Sequence, residues 1–225
     1  NDPHVPRTHK MREHDLRIVG EVSIRIRHCL LAYPGVRLSD IRQVHSHPQA
    51  IGQCREWLRR HLPRVELTPA YDTAGAAARL AASQTRDTAA IASIRAGTEY
   101  GLDILAEGIE SNPNNYTRFL ALSRPEDIPP LTGEAPCYKT TILYSLIENL
   151  PGALFKTLAV FSLRDIDLLK IESRPLVGSP GKYIFYVDVA GQETDEPLER
   201  ALEHLTELTT NLTVLGTYPC GSVAE

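Results

Sequence analysis

The sequence is poor in residues that mark several large protein classes. Of its 225 residues one is Met (Met11) and one is Trp, and aromatic side chains make up only 6%. No apolar run approaches the ~18 residues needed to span a bilayer; the longest candidates, such as Thr157 to Leu163, are interrupted by polar residues. Lys and Arg number 24 against 28 Asp and Glu, which leaves a net charge of -4 and a pI near 6.1. The basic footprint that phosphate backbones require is missing, so a soluble protein without nucleic-acid or membrane partners is expected. The four cysteines, Cys29, Cys54, Cys137 and Cys220, lie far apart with no CxxC pair, which speaks against a zinc site or a redox motif. Reduced, buried thiols in an intracellular compartment are the expectation. The opening NDPHVPRTHK has no apolar core and does not read as a secretory signal. A Walker loop, GxSxG, HExxH and GxGxxG are all absent.

What remains is ordinary globular composition, 42% hydrophobic and 23% charged, at a length that suits two domains. Val22 to Leu31 reads as a strand ended by the Pro34-Gly35 turn. Val44 to Ser46 reads as a short strand feeding a helix from Pro48 to Arg60, with Ala50, Ile51, Cys54, Trp57 and Leu58 on one face. Ser46 followed by Gln49 fits a capping box. Glu66 to Ala70 reads as a strand, Thr73 to Ser83 as a helix capped by Asp72 or Thr73, Thr88 to Ser93 as a strand, Ile94 to Tyr100 as a helix and Tyr116 to Leu122 as a strand. Such alternation predicts a mainly parallel α/β sheet.

Residues 124–137, rich in proline, form a linker, and the pattern beyond them changes. Tyr138 to Ile147, Ile166 to Ser173, Tyr183 to Val189 and Leu212 to Tyr218 read as strands, the third with one side buried. Gly152 to Arg164 and Pro197 to Thr209 read as helices. The order βαββαβ is that of a ferredoxin-like unit.

Three clusters carry possible chemistry. His45 and His47 point the same way along a strand, but a third metal ligand is missing, which favours packing or hydrogen bonding. Asn114, Asn115, Thr117 and Arg118 gather polar groups at the mouth of an apolar strand, as ligand clefts often do. Glu172, Ser173, Arg174 and Pro175 close a strand with opposite charges.

These residues also carry a resemblance. Ser46-His47-Pro48-Gln49-Ala50, Asp72-Thr73-Ala74, Asp87 to Ser93 and Asn115-Tyr116-Thr117-Arg118-Phe119 resemble, in order, the conserved blocks of prephenate dehydratases. Pro151-Gly152-Ala153-Leu154-Phe155 and Lys170-Ile171-Glu172-Ser173-Arg174-Pro175 look like the ACT regulatory domain of those enzymes. The likeness runs from about Val5 to Gly221. Ala70 to Ala77 and Leu163 to Ile166 resemble plant and cyanobacterial members in particular, some of which use arogenate.

The resemblance implies a type II periplasmic-binding-protein-like catalytic domain over residues 1–123, the linker at 124–137, and an ACT domain over 138–220. It implies dehydration with decarboxylation of prephenate to phenylpyruvate, or of arogenate to phenylalanine, with neither metal nor cofactor. Thr117 is then the catalytic hydroxyl, and Arg118, Gln49, Ser46, Thr73 and Phe119 are substrate-binding. Arg118 and Thr117 face opposite ways on a regular strand, so a turn or bulge is expected if both touch substrate. Phenylalanine is the implied allosteric inhibitor, held at an ACT–ACT interface by Asn149, Leu150, Pro151, Gly152, Ala153 and Leu154 together with Glu172, Ser173, Arg174 and Pro175. A homodimer or homotetramer is implied, in the cytoplasm, or in the plastid stroma of a photosynthetic host. Family members begin with a Glu-Asn-Ser block that stands upstream of Val5, Arg7 and Thr8, and His9 to Glu13 replaces a more apolar stretch. A partial chain with little activity of its own is therefore expected. The alternative is a non-catalytic phenylalanine sensor; a solute-binding protein fits less well, for want of a secretion signal and disulfide pairing.

Overall fold

A computed structural model describes residues 15–131, 135–176 and 178–224, so the calls on Val5 to Glu13 lie outside the described residues. The chain divides into two compact units, one of residues 24–117 and one joining residues up to 23 with 118–224. Both boundaries fall inside strands, β1 (Arg17–Arg25) and β7 (Tyr116–Ser123).

In the 24–117 unit, β2 (Cys29–Ala32), β3 (Gln43–Ser46), β4 (Glu66–Pro69), β5 (Thr88–Ala92) and β6 (Asp103–Glu107) form a sheet of order β4-β3-β5-β2-β6. β3 runs parallel to β4 and β5, but β2 is antiparallel to β5 and β6, so the sheet is mixed where a mainly parallel one was expected. The predicted strand from Val22 to Leu31 is two strands, because residues 26–28 break away to bond elsewhere; Ile26 N–H donates to the Asn115 carbonyl. Strand alternation builds the layers. Leu30, Ala32, Ala89 and Ile91 face one core with Ala50, Cys54 and Leu58, while Cys29, Leu31, Ala90 and Ala92 face the other with Ala76, Ala77 and Leu80.

The predicted helix from Pro48 to Arg60 is two helices, α1 (Pro48–Gln53) and α2 (Arg55–His61), broken at Cys54, whose φ and ψ of -101° and 4° are not helical. The capping box at Ser46 does not form. His47 caps α1 through Nδ1, and Ser46 Oγ, fully buried, donates instead to the Ile91 carbonyl at 2.7 Å. The helices α3 (Thr73–Ser83) and α4 (Ile94–Tyr100) match their predicted ranges, capped by Asp72 and Ser93.

The other unit holds the ferredoxin-like module: β8 (Tyr138–Leu146), α5 (Ala153–Ser162), β9 (Leu168–Pro175), β10 (Tyr183–Ala190), α6 (Glu196–Leu208) and β11 (Thr209–Pro219), with strand order β11-β8-β10-β9. One sheet face packs Ile142, Tyr144, Phe185 and Val187 against Phe161, Leu198 and Leu205 of the helices. The other face was expected to be open, yet Leu143, Ile184, Tyr186, Leu215 and Tyr218 are buried there with Ile18 of β1. β1 lies between β7 and the short β12 (Val223–Ala224) in a separate sheet.

The expectation of reduced cysteines holds for Cys29 and Cys54 only; Cys137 and Cys220 form a disulfide with Cα atoms 5.6 Å apart. The sequence hides this pair because 83 positions separate the two residues, and only the β8–β11 register, with Tyr138 opposite Pro219, brings them together. Reduction, or Cys220→Ser, should lower stability by up to about 4.5 kcal/mol, the chain-entropy value for so long a loop. Denaturant unfolding with and without reductant checks this; coincident curves would show that the cross-link constrains nothing.

Candidate active site

A hollow of about 290 Å³ in the 24–117 unit is lined by Ile26, His28, His47, Gln49, Ala50, Gln53, Asp72, Thr73 and Thr117. Larger hollows of about 700 and 650 Å³ exist elsewhere, around Ile128 to Leu131 and around Leu38 to Arg42, but they bring together fewer convergent polar groups. The small one sits where the fold places chemistry. His47 follows the carboxyl end of β3, and Asp72 and Thr73 follow that of β4, so the parallel part of the sheet delivers them together.

Its polar lining is mostly neutral. Asp72 is the only carboxylate among the lining residues, and it accepts the Gly75 N–H as cap of α3. The N-terminal end of that helix adds partial positive charge, and Thr73, Gln49 and Thr117 add neutral donors. His47 Nδ1 accepts from the Gln49 N–H at 3.2 Å, which leaves the ring proton on Nε2.

Behind the hollow runs a chain of amides. His28, buried, sits 2.8 Å through Nε2 from Gln53 Oε1, and Gln53 Nε2 donates to Asn115 Oδ1 at 3.4 Å. The His28 backbone N–H donates to Glu110. Asn115 Nδ2 is buried without a hydrogen-bond partner among the described residues. His28 and Gln53 were missed by sequence reasoning. Gln53 lies one helical turn after Gln49, and that i, i+4 spacing was the available signal.

The predicted site residues divide. Thr117, Gln49 and Thr73 meet at the hollow, whereas Ser46 is sealed under the sheet and Phe119, half exposed, is not among the lining residues. Arg118 has other partners altogether. Its Nε donates to Glu21, Nη1 to Asp188 at 2.5 Å and Nη2 to the Tyr218 hydroxyl at 2.7 Å. The Tyr218 hydroxyl in turn donates to Thr141 Oγ1 at 2.6 Å, and Thr141 donates to Asp188 at 2.7 Å, which closes a ring. Lys139 pairs with Glu21. Burial alone would push the Glu21 carboxyl up, but hydrogen bonds from Lys139 and the Gly221 N–H, with the nearby cations, hold it below the usual value. Burial pushes the Tyr218 phenol up to about 12, so it stays a neutral hydroxyl.

In the ferredoxin-like module, Gly152 adopts a left-handed φ of 81° immediately before α5, a conformation that favours glycine. Asn149 Nδ2 donates to the Gly181 carbonyl at 3.3 Å, which ties the turn before α5 to the loop between β9 and β10. Leu150 is exposed. On β9, Glu172 accepts from Lys170 and Arg174, and those bonds, the Lys170 one foremost, outweigh burial and hold its carboxyl below the usual range. His45 bonds Gln43, and no group of three metal-binding side chains occurs among the described residues.

The fold defines an α/β domain followed in sequence by a ferredoxin-like module, with a polar hollow in the former. The prephenate dehydratase family model matches residues 5–127 and the ACT domain model residues 140–206, so the chain belongs to the prephenate dehydratase family. A curated relative in Arabidopsis thaliana, arogenate dehydratase/prephenate dehydratase 2, chloroplastic, is 48% identical over 216 residues, covering 92% of this chain and 55% of that protein. The chain thus spans about half the length of the curated relatives it matches. Prephenate dehydratase from Arthrobacter aurescens, solved in complex with L-Phe, is 38% identical with a TM-score of 0.80, over 91% of this chain and 66% of that one. A structure described as GqqA, a novel type of quorum quenching acylase, is 34% identical with a TM-score of 0.79, over 96% and 77%.

Proposed function

We propose that the full-length gene product dehydrates and decarboxylates prephenate to phenylpyruvate, or arogenate to phenylalanine, and that phenylalanine regulates it. In this reading residues 1–123 belong to the catalytic domain, 124–137 to the linker and 138–220 to the ACT domain. The observation that carries it is the meeting of Thr117, Gln49 and Thr73 at one hollow rich in hydrogen-bonding groups.

The reaction breaks the bond to the ring carboxylate. Carbon dioxide leaves, the released electron pair enters the ring as the new double bond, and the ring hydroxyl departs as water after taking up one proton. Aromatisation drives the step. A threonine alcohol is far too weak an acid to be a proton reservoir, so Thr117 acts as a fixed hydrogen-bond donor to the departing oxygen. Gln49 and Thr73 hold the substrate carboxylates beside the start of α3.

Phenylalanine binds at the interface of two modules, through Asn149 to Leu154 and Glu172 to Pro175, Gly152 giving its backbone close access to the ligand. Two modules pair there: β9 ends the sheet, Leu169 and Ile171 along it are exposed, and Phe155 of α5 is 74% exposed. The compartment in this reading is the cytoplasm, or the plastid stroma of a photosynthetic host, the latter in line with the chloroplastic relatives.

Offering both substrates to the full-length gene product, with and without phenylalanine, tests the function. Turnover of either supports it, and turnover of neither, in a folded protein, sinks it in favour of the non-catalytic sensor. Gly152→Val should raise the phenylalanine dissociation constant roughly tenfold or more, since a branched residue resists positive φ. Calorimetric titration reads this directly, and an unchanged constant would move the effector elsewhere.

A further inference from the structure

We infer that Arg118 is a positioning residue that fixes the Thr117 hydroxyl by anchoring strand β7 to the ferredoxin-like sheet. The inference rests on the dehydratase reading for the role of Thr117, but its structural half does not. Thr117 and Arg118 are consecutive within β7 and so project to opposite faces. One lines the hollow; the other is engaged through all its nitrogens by Glu21, Asp188 and Tyr218. A guanidinium held on each of its three nitrogens cannot swing, so the peptide joining the two residues is held as well.

The partners of Arg118 show what it is anchored to. Asp188 is 3% exposed on β10, Tyr218 is fully buried on β11, and Thr141, which bridges them, is on β8. The ring thus ties together neighbouring strands of one sheet, and each member satisfies the next. The same strand β10 places Asp188 opposite Lys170 and Tyr186 opposite Glu172 of β9. Lys170 and Glu172 are themselves ion-paired, so the proposed effector segment lies two residues along the ladder from the anchor. A guanidinium meant for substrate would instead have to give up these bonds.

The test uses the full-length gene product with Asp188→Asn and, in case that variant folds poorly, Tyr218→Phe; each opens the ring at nearly constant volume. The inference expects kcat to fall roughly tenfold or more with KM within about twofold, because a displaced donor is lost only in the transition state. It also expects Arg118→Lys to keep KM within about twofold while lowering kcat roughly tenfold or more. Unchanged kcat in both ring variants overturns the inference. So does a KM raised about tenfold by Arg118→Lys at constant kcat, which would place the guanidinium on substrate. Hydrogen exchange supplies a readout free of turnover: amides of Tyr116 to Phe119 should exchange roughly tenfold faster in Asp188→Asn while β5 is unaffected. Wild-type protein without turnover would sink the dehydratase reading alone, and the exchange result would still decide the anchor.

Discussion

Thr117→Val should lower kcat by about 10² to 10³, the cost of removing one oxyanion-type donor, with little change in KM. The side chain is exposed, so the substitution leaves stability within about 0.5 kcal/mol of wild type. Thr117→Ser keeps the hydroxyl and should recover much of the rate, less what the added rotamer freedom costs. Steady-state kinetics on full-length protein with prephenate and with arogenate settles the matter. Retained turnover in the Val variant would mean that another group meets the departing oxygen, Gln49 and Thr73 being the next donors to examine. Removing Gln53 would be less clean, because it frees His28 and Asn115 together.

A stability effect comparable to loss of the disulfide is expected at Gly216. It lies in β11 at φ 153°, and a Cβ there would sit on the Ile18 carbonyl oxygen of β1. Backbone cannot yield as a side-chain tip can, so Gly216→Ala should cost ~4 kcal/mol or strip β1 from the sheet. Ile18, Leu143, Ile184 and Leu215 would then be open to a hydrophobic dye. Gly52 in α1 is the control: a Cβ there meets nothing within 4 Å, and Gly52→Ala should stabilise by ~0.5 kcal/mol. Equal midpoints of thermal unfolding for Gly216→Ala and wild type would refute the close approach.

Period and capping made most of this fold legible. The strand at β10 alternates Phe185, Val187 and Val189 toward the helices, and α3 and α4 begin at Asp72 and Ser93 because those side chains reach back to free N–H groups. Periodicity alone did not reveal that Ile184, Tyr186 and Asp188 are covered as well, since that cover comes from β1 and β7, far away in sequence. The break at Cys54 was equally hidden, because the apolar spacing continues through it from Ile51 to Leu58. In the site, Thr117, Gln49 and Thr73 came from motif likeness, and the structure brings them together. His28 carried no local signal: its role depends on Gln53, 25 positions away.

The location of the unit boundary inside β1 and β7 bears on how this protein can be dissected. A fragment cut at the proline-rich linker would keep Asp188 and Tyr218 but lose Arg118, Glu21 and Ile18. It would carry an uncompensated carboxylate in a greasy, newly uncovered surface, a recipe for insolubility. Whoever wishes to crystallise or transplant the ferredoxin-like half should therefore carry along both crossing strands, for the natural cassette is discontinuous in the gene.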